Sequence, residues 1–156
     1  MSDDFFDTNV LTCLLSAGAK KADRAEALVR QGGAISVQVL NQAANVARRK
    51  LAMDWRDTRA FLASLRGLLT VAPLTAETHA LGLDFAERHK LSITDAMIAA
   101  AATLAGCARL WSQDMQDGMK IGERLRAADP FRRAEGRSPC TDFTLVPSQY
   151  RYQSGH

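Results

Sequence analysis

Leu91-Ser92-Ile93-Thr94-Asp95-Ala96-Met97-Ile98-Ala99-Ala100-Ala101-Ala102-Thr103-Leu104 runs, after a short break, into Ala108-Arg109-Leu110-Trp111-Ser112. From Thr94 to Leu104 the first stretch has apolar residues on every side, the pattern of a central helix packed on both faces. The second reads as a short buried strand. Ser92 suits an N-cap, with Asp95 as the acidic third residue of a capping box. A helix buried all round and then a strand is the signature of a layered α/β domain, and the rest of the chain repeats it.

Upstream, Phe5-Phe6-Asp7 reads as the end of a strand. Helical stretches follow near Val10 to Ala17 and from about Ala22 to Gln31, the latter stopped by Gly32-Gly33. Ala34 to Val37 supplies a second strand. Val39, Leu40, Ala43, Ala44, Val46 and Ala47 then recur at helical spacing toward Arg48-Arg49-Lys50, whose cations complement the carbonyl end of a helix dipole. Asp54 is placed to cap a helix carrying Phe61, Leu62 and Leu65, and Leu68 to Val71 makes a third strand closed by Pro73. Thr75 caps a helix over Ala76 to His89, and Arg124 to Pro130 forms one more strand. Strands alternating with helices predict a mainly parallel sheet covered on both faces, with right-handed crossovers. Functional side chains in such a sheet gather at the carboxyl ends of the strands, where the strand order reverses.

The bulk properties agree with a single globular domain. The chain has 156 residues, 47% of them hydrophobic and 24% charged, which excludes wholesale disorder. No apolar run approaches the ~18 residues of a membrane span, and the acidic start Met1-Ser2-Asp3-Asp4 is unlike a secretory signal, so a cytoplasmic location without membrane association is expected. The net charge of +3 is small, and +2 of it comes from the stretch after Phe131 (Arg132, Arg133, Arg137 and Arg151 against Glu135 and Asp142). That segment, 132–156, lacks periodicity and is expected to be an irregular tail on a domain spanning 1–131. Cys13, Cys107 and Cys140 are too far apart for a CxxC motif and odd in number, which points to free thiols. No histidine has a partnered nucleophile.

The chemistry sits in aspartates. Asp7 follows the first strand directly, Asp95 opens the Ala-rich helix, and Asp114 follows the strand ending at Ser112, with Asp117 three residues on. Each has a sufficient structural role by itself: an Asx turn or cap at Asp7, a capping box at Asp95, a solvated turn at Asp117. Their convergence on one sheet edge carries the signal. Crowded carboxylates raise one another's pKa and stay ionised only with a counter-cation, and an all-oxygen set suits Mg²⁺ or Mn²⁺.

Four blocks in order resemble the motifs of PIN-domain ribonucleases, most closely VapC-type toxins of type II toxin–antitoxin systems: Phe6-Asp7-Thr8-Asn9-Val10-Leu11, Ser36-Val37-Gln38-Val39-Leu40-Asn41, Leu91 to Ile98 and Trp111 to Gly118. The resemblance implies a three-layer α/β/α sandwich of the PIN type and a Mg²⁺- or Mn²⁺-dependent endoribonuclease that cleaves RNA with metal-activated water. It makes Asp7, Asp95 and Asp114 the catalytic metal ligands, with Asp117 at a variably acidic position, and Thr8, Asn9 and Ser112 as residues that orient them. Gln42 departs from the pattern, standing where the family has glutamate: its amide oxygen retains ligand capacity but brings no charge. The resemblance further implies an antitoxin partner and a homodimer. Arg48, Arg49 and Lys50 are candidates for the RNA-binding rim, against the plainer role of a solvated helix end. The alternative from a different class is a catalytically weakened PIN-like protein acting through antitoxin or RNA binding, kept open by Gln42.

Overall fold

Phe5 and Phe6 are both fully buried although they point to opposite faces of one strand, as happens only where a sheet is covered on both sides. In a computed structural model that describes residues 3–16 and 18–132, this strand, β1 (Asp4–Phe6), lies inside a six-stranded sheet of order β3-β2-β1-β4-β6-β5. The other strands are β2 (Ala34–Ser36), β3 (Thr70–Ala72), β4 (Arg109–Trp111), β5 (Lys120–Ile121) and β6 (Leu125–Ala128). All neighbours pair in parallel except β5, which runs antiparallel to β6. The helices are α1 (Thr8–Ser16), α2 (Ala19–Arg30), α3 (Val37–Asn45), α4 (Trp55–Leu68), α5 (Ala76–His89) and α6 (Ile93–Leu104). The expected α/β/α sandwich with a mainly parallel sheet is what the chain forms.

The strand order positions the site. The chain steps outward from β1 to β2 and β3, then returns to place β4 on the other side of β1. Right-handed crossovers therefore put α1 to α4 on one face and α5 with α6 on the other. The reversal falls between β1 and β4, so the crevice for a ligand opens beyond Phe6 and Trp111. Gly33 makes the entry to β2 possible: its φ is +147°, and a Cβ there would lie 2.8 Å from the Asp4 carbonyl oxygen.

Local signals explain the helix starts. Asp54 Oδ1 accepts the Asp57 amide at 2.7 Å, Thr75 and Thr78 form a reciprocal capping box, and Ser92 Oγ accepts the Asp95 amide at 3.1 Å. From Ala96 to Ala102 every residue of α6 is buried, as its composition predicts. Several details differ from the sequence expectation. Leu68 ends α4 and Leu69 follows as its C-cap, so the third strand runs Thr70–Ala72 instead of Leu68 to Val71. Val37 begins α3 instead of ending β2, because Ser36 Oγ caps the helix by accepting the Val39 amide at 3.3 Å. β5 has two residues, too few to show any periodicity. The basic end of α3 widens into a π-helical turn, Val46–Lys50. Cys13 and Cys107 are buried free thiols, while Cys140 and the tail from 133 onward lie outside the described residues. No helix among the described residues is long and apolar enough to cross a membrane.

The packing of α5 on α6 yields a test. Gly82 is buried, and a Cβ on it would overlap Met97 Sδ and stand 3.3 Å from Met97 Cα. Alanine gains about 1 kcal/mol of helix propensity over glycine, but overpacking costs about 1–3 kcal/mol. Gly82→Ala is expected to lower the unfolding midpoint in urea; an increase would mean that α5 and α6 are less closely packed than described.

Candidate active site

Asp7 follows the carboxyl end of β1, only 3% exposed, and each of its side-chain oxygens is held. The Thr8 amide donates to Oδ1 at 2.6 Å and the Ser112 hydroxyl donates to Oδ2 at 2.7 Å. Ser112, at the carboxyl end of β4, also accepts the Asp114 amide at 3.2 Å, so one hydroxyl ties the residues after β1 to those after β4. Asn9 adds a second tie: its Oδ1 accepts the Gln113 amide at 3.2 Å, and its Nδ2 faces Asp7 Oδ2 at 3.5 Å. Asp95 comes from the other layer, in the first turn of α6. The result brings Asp7, Asp95 and Asp114 together, with one carboxylate oxygen from each lying within 4.8 Å of the others.

This geometry has an electrostatic cost. Burial, with the neighbouring Asp95 and Asp114 carboxylates adding to it, raises Asp7 to about 6 despite the lowering effect of the Ser112 and Thr8 hydrogen bonds. Burial also raises Asp95, with Asp114 contributing and a hydrogen bond involving Ser92 opposing it. An all-carboxylate cluster of this kind fits a hard divalent cation, which would offset the mutual repulsion and take up the oxygens' remaining lone pairs.

A cavity of about 510 Å³ opens over the cluster, lined by the three aspartates with Thr8, Asn9, Thr12, Gln42, Asn45, Val46, Lys50, Leu51 and Thr94. Gln42 is at the cavity as its helical position implied, but its Oε1 accepts a hydrogen bond from the Thr8 hydroxyl at 2.5 Å. Of the three cations closing α3, Lys50 lines the cavity. Arg48 is turned away, donating to the Met53 carbonyl and stacking 4.4 Å from the centre of the Trp55 ring, and Arg49 is exposed. Asp117 does not join the cluster: its Oδ1 accepts the Asp129 amide at 2.9 Å and its Oδ2 lies 3.7 Å from Arg132. A turn role therefore accounts for it, and the expectation of a fourth carboxylate ligand has no support in this arrangement. Trp111 is buried in β4, and His89 Nε2 accepts the Gly122 amide at 3.2 Å, away from the cavity. The sequence reading missed Thr12, Asn45, Val46, Leu51 and Thr94. Helical spacing from Thr8 to Thr12 and from Gln42 to Asn45 could have found the first two.

The cluster predicts a pH-dependent stability. A carboxyl whose folded pKa lies above its unfolded value stabilises the fold when protonated, and that contribution is lost as pH rises from about 4 to about 6. In EDTA, Asp7→Asn is expected to be more stable than the parent at pH 7.5, by about 1–3 kcal/mol, with the difference vanishing near pH 4. Mn²⁺ should raise the melting temperature of the parent at pH 7.5 and not that of the variant. Equal destabilisation of the variant at both pH values would show that the carboxylate carries no repulsive burden.

Three solved structures share this architecture. VapC20 of Mycobacterium tuberculosis, a sarcin-ricin loop cleaving toxin, is 22% identical, with 71% of this chain and 91% of that one covered at a TM-score of 0.58. A toxin–antitoxin complex from Klebsiella pneumoniae is 21% identical over 82% of this chain and 98% of the other, at 0.62. VapBC2 from Rickettsia felis, bound to a DNA fragment from its promoter, is 16% identical over 81% and 97%, at 0.59. At these identities the likeness establishes the fold. No curated relative matches the chain by sequence. The model of the PIN domain matches residues 5–116, a span that begins inside β1, takes in all three clustered aspartates and ends just beyond Asp114, and the chain accordingly belongs to the PIN domain family.

Proposed function

We propose that this protein is a Mg²⁺- or Mn²⁺-dependent endoribonuclease and the toxin of a toxin–antitoxin pair. The observation that carries the reading is the meeting of Asp7, Asp95 and Asp114, from three separate segments, at the point where strand order reverses. Membership of the PIN domain family supports nuclease chemistry, and the similar structures described as a toxin or as toxin–antitoxin complexes support the partner. A cytoplasmic homodimer, with an antitoxin covering the acidic cavity, completes the proposal.

Asp7, Asp95 and Asp114 would hold the ion. When bound, it supplies an activated water and stabilises charge on the phosphodiester and on the leaving oxygen. The chain's own residues do the positioning. The Thr8 amide and Ser112 hydroxyl immobilise the Asp7 carboxylate, and Ser112 sets the height of Asp114 above the end of β4. Asn9 holds the loop after β4 against the start of α1 through the Gln113 amide. Three aspartates without a glutamate at position 42 bring a charge of about −3, enough for one divalent ion and marginal for two. A second reading, a weakened nuclease that acts by binding RNA or its antitoxin, draws on Gln42, whose carbonyl oxygen is occupied by Thr8.

Cleavage of RNA by the purified chain in Mg²⁺ and in Mn²⁺ separates the two. Asp7→Asn is expected to lose roughly 100-fold or more in rate. Gln42→Glu restores a charge to the cavity and is expected to raise metal affinity and rate several-fold. A parent that cuts nothing while Gln42→Glu cuts RNA supports the second reading. A Gln42→Glu variant indistinguishable from the parent removes position 42 from the metal's surroundings.

A further inference from the structure

We propose that the part of the cavity lined by the end of α3 and the turn after it is a nucleotide subsite, in which Lys50 holds a backbone phosphate, Val46 and Leu51 cover the face of an unpaired base, and Asn45 reads that base's edge. The proposal rests on the nuclease reading and deepens it, by assigning where the strand lies next to the phosphodiester that is cut.

The backbone carries the first part of the argument. An α-helix that faces the cavity with Gln42 repeats that face at 45–46 and again at 49. Asn45 and Val46 line the cavity as expected, but Arg49 does not, because the next turn is wider. The Leu51 amide donates to the Val46 carbonyl at 3.1 Å, an i to i+5 bond, and the Met53 amide reaches the Ala47 carbonyl at 2.9 Å. That insertion rotates the row by one residue and delivers Lys50 and Leu51 to the cavity. Ala52 follows in the left-handed region at φ +51°, and Arg48 fastens the turn by donating to the Met53 carbonyl and lying over Trp55. The turn is thus held in an unusual form, and its effect is to bring one cation and one apolar side chain into the cavity that the three carboxylates also line.

The chemistry of that lining matches a nucleotide. An anionic strand entering a cavity with three aspartates meets repulsion away from the ion and needs a fixed positive charge there. Lys50 forms no ion pair among the described residues and is available for one phosphate. Val46 and Leu51 offer partly exposed apolar surface of the kind that takes the face of an unstacked base, and a side-chain amide presents a donor and an acceptor together for a base edge. A cavity of about 510 Å³ is within the range of about 300–1,000 Å³ that holds small ligands. The subsite therefore takes one unpaired nucleotide.

The test uses the full chain and short fluorescein-labelled oligoadenylate, oligocytidylate and oligouridylate, with binding followed by anisotropy over a series of KCl concentrations and cleavage followed in Mn²⁺. Lys50→Gln is expected to weaken binding about tenfold at moderate salt and to lower the salt slope by about one, without loss of the Mn²⁺-induced rise in melting temperature. Asn45→Ala is expected to narrow the preference among the three oligomers while leaving the salt slope unchanged. A parent that cuts RNA, with both variants binding as it does, overturns the subsite and leaves the nuclease reading standing. So does a fully paired duplex bound as tightly as the single strands. A parent that neither binds nor cuts any of these RNAs overturns both.

Discussion

Three carboxylates held within 4.8 Å of one another, one of them buried, is a configuration that a fold opposes by its own electrostatics, and much of the site is arranged around that opposition. Burial and like charge both push Asp7 upward, to about 6. The hydrogen bonds from Thr8 and Ser112 recover part of the cost, and they hold the carboxylate in place at the same time. A site that remains expensive without a counter-cation is poised to gain stability from one, which links the fold's tolerance of the cluster to the chemistry proposed for it.

Ser112 gives that linkage a structural form. Its hydroxyl donates to Asp7 and accepts from the Asp114 amide, joining β1 and β4 at the crevice between them. Asp7 therefore directly follows a strand in the middle of the sheet, Asp114 lies in the bend three residues beyond its neighbour β4, and Asp95 rides on the helix whose seven consecutive buried residues anchor it in the core. Another part of the lining is built by different means, a widened turn at the end of α3 braced by Arg48 and Trp55. The same cavity thus takes Asp95 from a regular helix and Lys50 from an irregular turn.

Sequence patterns exposed the elements whose causes are local. Asp54, Thr75 and Ser92 each cap the helix that follows, because a side-chain oxygen and an amide three residues on need nothing from the rest of the chain. The buried alanine run of α6 and the placement of Asp7 and Asp114 just after strands were legible for the same reason. Features that depend on a distant partner were not. β5 exists only through its pairing with β6, the π-helical turn through contacts with Met53 and Trp55, and Asp117 was drawn away from the cluster by Asp129 and Arg132.

The order of the α-helices and of every strand but β5, the three aspartates and the missing glutamate at position 42 were determined by the amino-acid sequence alone, since periodicity, capping and residue type are properties of short stretches. Tertiary structure decided which aspartates meet, which of three adjacent cations lines their cavity, and that the Gln42 oxygen is spent on Thr8. Those outcomes depend on crossover direction and on one inserted residue in a helical turn. Both act over distances at which side chains far apart in the chain compete for the same space and the same hydrogen bonds.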